Sequence, residues 1–198
     1  MLYQDYQQKK KEIHTQLKKF QQLPQQAYID EYLFCMLTPQ SNAQKSWSAI
    51  QEIKKTKIIN QAILEKILRT RTRFYKRKTQ YILKGLKNWP IIQKELNKEV
   101  EPQALRNYLA EKVQGYGMKE ASHFLRNIGK SKNQLAILDR HIIRNLMALG
   151  IITQDTIKNT THYKEIEQQF LTLAQKNNIP ADALDMLFWS KETGKIFK

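Results

Sequence analysis

Cysteine is almost absent. Cys35, within the apolar run YLFCML, is the one cysteine in 198 residues. A single thiol closes no internal disulfide and cannot supply a four-cysteine cluster. It is expected to be buried. Glycine and proline are also scarce, at six and five, so long helices are rarely interrupted. No run of about 18 apolar residues occurs, so no membrane-spanning helix is expected. The opening MLYQDYQQKKKEIHTQ has lysines but no apolar segment, so no secretory signal is expected. Acidic residues are the last shortage: 18 Asp and Glu stand against 34 Lys and Arg, for a formal charge of +16.

What is present is helical spacing and spread positive charge. Hydrophobic residues make up 41% of the chain and recur throughout it, as in a globular protein. Tyr28, Tyr32, Leu33, Met36 and Leu37 form an apolar stripe, as do Tyr81, Ile82, Leu86 and Trp89. Pro90 is expected to end that second helix or start another. Glu101-Pro102 opens a helix whose buried side is Leu105, Tyr108, Leu109 and Val113. Further stripes precede Gly129, Gly150 and Gly194. No alternating β-branched segment reads as a strand. The expectation is an all-α chain of about ten helices, with no internal repeat. Its basic residues lie along many helices rather than in a tail, which makes nucleic acid a candidate partner.

The stretch LRNYLAEKVQGYGMKEASHFLRNIG reads as helix, Gly-x-Gly turn, helix. Gly115 and Gly117 permit a tight turn and close approach to a ligand, and amides opening the second helix suit a phosphate. The same pattern also fits an ordinary αα-hairpin. Lys119 is less ordinary, because a helix N-terminus disfavours a nearby ammonium. Burial disfavours it too, and the neutral amine is a nucleophile able to form a Schiff base. That chemistry needs a carboxylate to stabilise a cationic sugar centre. Asp139, in LAILDRHII, is a candidate. It is equally a good helix N-cap, and one side chain can do both.

VQGYGMKEA followed by LDRHI resembles the helix-hairpin-helix DNA glycosylase superfamily, of which endonuclease III is one member. GMKEASHFLRN and AILDRHI look like its archaeal-type 8-oxoguanine DNA glycosylase/AP lyase branch. CMLTPQSNA, TRFYKRKTQYI and the ending WSKETGKIFK resemble other segments of that branch. The similarity covers most of residues 30–198. Many relatives hold an iron–sulfur cluster with four cysteines, which this chain lacks. The resemblance implies two helical lobes, one near 31–133 with the hairpin and one from 1–30 and 134–198. It implies Lys119 as the Schiff-base nucleophile and Asp139 as the catalytic aspartate, with no metal or organic cofactor.

The resemblance also bears on other positions. Gln40, in the Leu37–Ala43 connection, matches a side chain inserted into the duplex, though a polar loop residue is an equal reading. Ser41 or Asn42 is a credible N-cap. His141 would lie near a backbone phosphate, though a packed neutral histidine is an equal reading. Arg140 reads either as a phosphate contact or as simply exposed. Gly115 and Gly117 would approach the backbone. Trp189 and Lys198 would help distinguish oxidised from normal guanine. Without the resemblance, Trp189 would pass for core and Lys198 for a frayed end.

The function implied is excision of 8-oxoguanine from double-stranded DNA with strand cleavage by β-elimination. Two rivals remain: a non-catalytic DNA-gripping module, and a glycosylase for another lesion on the same fold. With no coiled-coil heptads, a monomer is expected, located with DNA in the cytoplasm or nucleoid and not on a membrane. Binding should depend steeply on salt. Neutralising about five phosphates gives a log–log slope of about −4.5, measurable by titrating duplex DNA at several salt concentrations. A flat response would mean that the positive charge has another use.

Overall fold

The computed structural model describes residues 2–198, and these form ten α-helices and no strand. In chain order they are α1 (Leu2–Gln21), α2 (Tyr28–Leu37), α3 (Ala43–Lys55), α4 (Gln61–Leu68) and α5 (Tyr75–Leu96). Then come α6 (Pro102–Lys112), α7 (Met118–Asn127), α8 (Arg140–Ala148), α9 (Thr160–Lys176) and α10 (Ala181–Thr193). A short 3-10 turn, Gln25–Ala27, precedes α2. Several starts are set by side chains. Asn42, Asn60, Asp139 and Asn159 each accept a backbone N–H from the first turn of α3, α4, α8 and α9 respectively. Of the two candidate caps before α3, Asn42 takes the role, accepting from Lys45 N at 3.0 Å.

Pro90 departs from expectation, because α5 runs straight through it. The proline ring leaves the Leu86 carbonyl without its usual donor. Packing carries the helix onward: Ile92 and Leu96 are buried beyond it, and the Trp89 ring lies 5.1 Å from that of Tyr32.

The chain divides into two compact units. One is Pro24–Phe124; the other joins the residues up to Leu23 with Leu125–Lys198. These bounds differ from the 31–133 lobe suggested by resemblance. Residues 24–30 lead directly into α2 and group with it, and the second division falls within α7 rather than after it.

In the 24–124 unit, α2 is the centre. Its residues Glu31 to Leu37 are all buried, and it packs on α3 and α5. Gly85 of α5 lets the two helices close, since a Cβ there would meet the Met36 side chain at 2.6 Å. The Tyr32 ring gathers Trp89, Tyr116 and Phe124 around it, with centroids 5.1 to 5.7 Å away. The Tyr116 hydroxyl donates to the Tyr32 carbonyl at 2.8 Å.

In the other unit, α10 is the centre and packs against α1, α8 and α9. Phe188 meets Phe170 of α9 at 6.3 Å. The irregular segment before α8 is also fixed by α9. Ala136 N donates to Glu167 Oε1 at 2.8 Å, and its carbonyl accepts from the Tyr163 hydroxyl at 2.7 Å. With Leu135 to Leu138 buried, Asp139 leaves this segment at a set position.

Burial raises the Tyr116 phenol well above its ordinary value of 10.0. Its neutral form is therefore favoured by folding. That contribution is complete below pH 10 and is lost as pH rises toward the folded value. Tyr116→Phe should cost about 1 kcal/mol at neutral pH from the lost hydrogen bond, with the gap to wild type narrowing above pH 10. Chemical denaturation across that range checks both.

Candidate active site

The hairpin turn follows α6. Tyr116 N donates to the Val113 carbonyl at 3.0 Å. Gly115 has φ +94°, and a Cβ there would lie 2.5 Å from the Tyr81 ring. Both conformation and space therefore require glycine. Gly117 is less constrained. Its N–H donates to Glu120 Oε2 at 3.1 Å, and a Cβ would sit 3.2 Å from that same oxygen.

Glu120 reaches back from the first turn of α7 to an amide that the helix leaves unpaired, as in half of a capping box. Its other oxygen, Oε1, lies 2.9 Å from Lys119 Nζ. One carboxylate therefore caps the helix and balances the ammonium that a helix start disfavours. The Lys119 side chain is 23% exposed, open enough to reach a ligand yet held by its neighbour.

Asp139 caps α8 and is half-buried. Oδ1 accepts from His141 N at 2.8 Å and from Ile142 N at 2.9 Å. Oδ2 accepts no hydrogen bond among the described residues. The carboxylate is thus oriented by one oxygen. Arg140 follows as an exposed first residue of α8. His141 is half-buried, its Nδ1 3.7 Å from Glu192 Oε2 and its ring 6.5 Å from Trp189. Trp189 in turn meets Phe197 at 6.3 Å. Lys198 Nζ lies 5.8 Å from the centre of the Phe20 ring, which Arg126 also faces at 5.2 Å. His141, Trp189 and Phe197 thus form one line of rings in the unit that carries Asp139.

Gln40 lies in the 24–124 unit with Lys119. It is exposed and has φ +51°, in the turn closed by Ser41 N donating to the Thr38 carbonyl. Three residues not singled out from sequence join this description. Glu120 is one. Phe74, exposed and with φ +56°, begins α5, and the Arg73 guanidinium lies over its ring at 5.1 Å. The third, Lys78, is buried beneath the Gln40 turn, its Nζ donating to Leu37 O, Pro39 O and Ser41 Oγ. Burial first, then the positive charges of Lys119 and Arg73, bring its pKa down to about 8 against the opposing pull of Glu120. Adjacency to Lys119 was a signal for Glu120. Lys78 had none, standing among other basic residues in TRFYKRKTQYI. Among the described residues, no three His, Cys, Asp or Glu side chains gather as metal ligands.

A family model described as 8-oxoguanine DNA glycosylase (Ogg-HhH) matches residues 10–179. An 8-oxoguanine DNA glycosylase/AP lyase of Fusobacterium nucleatum is 39% identical over 178 residues, covering 85% of this chain and 81% of the relative. The Methanocaldococcus jannaschii protein of that name is 31% identical over 190 residues, covering 92% and 88%. Among solved structures, the Methanocaldococcus jannaschii 8-oxoguanine glycosylase/lyase in complex with a 15mer DNA containing 8-oxoguanine superposes with TM-score 0.88 at 28% identity, over 100% of each chain. The Thermotoga maritima 8-oxoguanine DNA glycosylase gives 0.89 at 25% identity, over 100% of this chain and 96% of the other.

Asp139 makes a test of capping alone possible. Asp139→Ala removes both accepted N–H bonds and should cost about 1–2 kcal/mol of stability, whereas Asp139→Asn keeps an acceptor and should cost about 1 kcal/mol or less. Denaturant melts of both variants decide it. Equal losses would mean that the cap contributes little.

Proposed function

This chain belongs to the family of 8-oxoguanine DNA glycosylases with the helix-hairpin-helix fold, and we infer from that membership that it is a bifunctional 8-oxoguanine DNA glycosylase/AP lyase. It removes 8-oxoguanine from double-stranded DNA and cleaves the strand at the resulting abasic site. The observation that carries this is the match over residues 10–179, which spans the hairpin lysine and the capped aspartate together. The glycosidic carbon is inaccessible in the base stack, so the lesion is first extruded.

Lys119 is the nucleophile. Its ammonium first gives up a proton, and Glu120 at 2.9 Å is the adjacent acceptor. The amine lone pair attacks C1′ as the bond from C1′ to the base breaks. The base leaves with that electron pair and takes up a proton. Positive charge on the sugar is stabilised by the Asp139 carboxylate. The adduct opens to an imine. Loss of a C2′ proton then expels the 3′ phosphate, nicking the strand on the 3′ side. Gln40 fills the gap left by the extruded nucleotide. The Gly115 and Gly117 turn, with Arg140 and His141, meets the phosphate backbone. Trp189 and Lys198 line the base-recognition region. No helix among the described residues is long and apolar enough to cross a membrane. The protein acts as a monomer, in the cytoplasm or nucleoid where its DNA lies.

Borohydride trapping with a duplex carrying 8-oxoguanine tests the assignment. Wild type should form a covalent adduct, and Lys119→Gln should form none while still binding DNA. Asp139→Asn should slow single-turnover excision by about a hundredfold or more. Lys198→Ala should impair excision of 8-oxoguanine more than cleavage of a preformed abasic site, which carries no base to recognise. Undiminished trapping by Lys119→Gln would refute the nucleophile. Equal activity on uracil or oxidised pyrimidine would point to another lesion, and binding without incision to a gripping module.

A further inference from the structure

Lys78 plays no part in the chemistry above, yet it is 3% exposed. A charged group so buried needs compensating partners. It has three, one for each N–H of its ammonium: Leu37 O at 2.7 Å, Pro39 O at 2.8 Å and Ser41 Oγ at 2.8 Å. Leu37 ends α2, so the ammonium also faces the negative end of that helix.

The acceptors share one feature. All lie in the segment that shapes the Gln40 turn. Ser41 Oγ accepts a second bond, from Arg73 N at 2.9 Å, and so carries the link to the residue before Phe74. Gln40 and Phe74 are both non-glycine residues with left-handed backbone, and both are exposed. That conformation is disfavoured and persists only where the surroundings impose it. Lys78 and Ser41 supply those surroundings for both turns at once. A neutral side chain has too few donors for the task, since even an uncharged amine offers only two N–H groups. Burial and the nearby positive charges of Lys119 and Arg73 lower the Lys78 pKa to about 8, which still leaves the ammonium form in the majority at neutral pH.

We propose that Lys78 is a positioning residue for lesion extrusion: its ammonium, through Ser41, ties the Gln40 turn to the Phe74 turn so that an exposed amide and an exposed aromatic ring meet the duplex as one rigid pair. This rests on the reading that Gln40 enters the duplex. The amide can bond the orphaned base, and the ring can stack on a base whatever its identity. Neither would be presented at a fixed spacing if the turns moved independently. Lys78 does not touch DNA in this account; it acts through Gln40 and Phe74.

The test separates extrusion from chemistry. In a Lys119→Gln background, which blocks the covalent step, 2-aminopurine placed beside 8-oxoguanine in a duplex brightens when the lesion leaves the stack. Adding Lys78→Met should lower the extrusion equilibrium by roughly tenfold, as expected for loss of a charge-assisted hydrogen-bond clamp, with the complex still forming. Gln40→Ala should do the same, and Lys78→Met and Gln40→Ala together should lose no more than either alone. Ser41→Ala keeps the buried charge but removes the shared acceptor. It should show a smaller loss of the same signal, and it carries the test if Lys78→Met fails to fold. If Gln40→Ala dims the signal while Lys78→Met and Ser41→Ala leave it intact, the positioning role fails and the Gln40 reading stands. Full brightening with Gln40→Ala overturns the Gln40 reading itself. Additive losses would show that Lys78 acts independently of the turn, and would overturn the proposal.

Discussion

The bond from the Tyr116 hydroxyl to the Tyr32 carbonyl joins residues 84 apart in the chain, and the hairpin depends on it. Tyr116 lies between the two glycines of the turn, with its ring buried against Tyr32 and Phe124. A turn tip is normally exposed and mobile. Here the middle residue is anchored in the core, so the glycines on either side are drawn down with it. Gly115 then lies against the Tyr81 ring, where no side chain fits, and α7 begins at a fixed place. Lys119, in its first turn, inherits that placement.

The two carboxylates answer related electrostatic problems. At α7 the problem is a lysine where the helix field is unfavourable, and Glu120 meets it by holding the ammonium with one oxygen and an orphan amide with the other. At α8 the helix field favours an anion. Asp139 uses Oδ1 for two amides, and Oδ2 accepts no hydrogen bond among the described residues. At each helix start a carboxylate caps with a single oxygen.

Much of this was legible in the amino-acid pattern. The apolar stripes marked the helices because a 3.6-residue repeat places i, i+3 and i+4 on one face. Gly-x-Gly followed by Lys119, and Asp139 at the edge of an apolar run, stood out because those residue types are costly or special where they occur. Pro90 was misleading because its local preference is real, but buried Ile92 and Leu96 outweigh one missing bond. Lys78 could not have been found. In sequence it is one of 34 basic residues, and nothing local distinguishes a solvated lysine from one with three internal acceptors. Phe74 was hidden for a similar reason, since exposure and left-handed backbone are not written in residue type.

Local chemistry by itself determined the helical class, the hairpin, the Asp139 cap, and a lysine just after the turn with an aspartate at the start of a later helix. These follow from backbone preference, periodicity and functional groups at short spacing. Tertiary structure decided what depends on chain segments distant in sequence: the anchoring of Tyr116 on Tyr32, the setting of Asp139 by Tyr163 and Glu167 through Ala136, and the clamp that Lys78 makes on Leu37, Pro39 and Ser41. Each satisfies a buried polar group with a partner from elsewhere in the chain, and which partner arrives is set by packing rather than by the residues beside it.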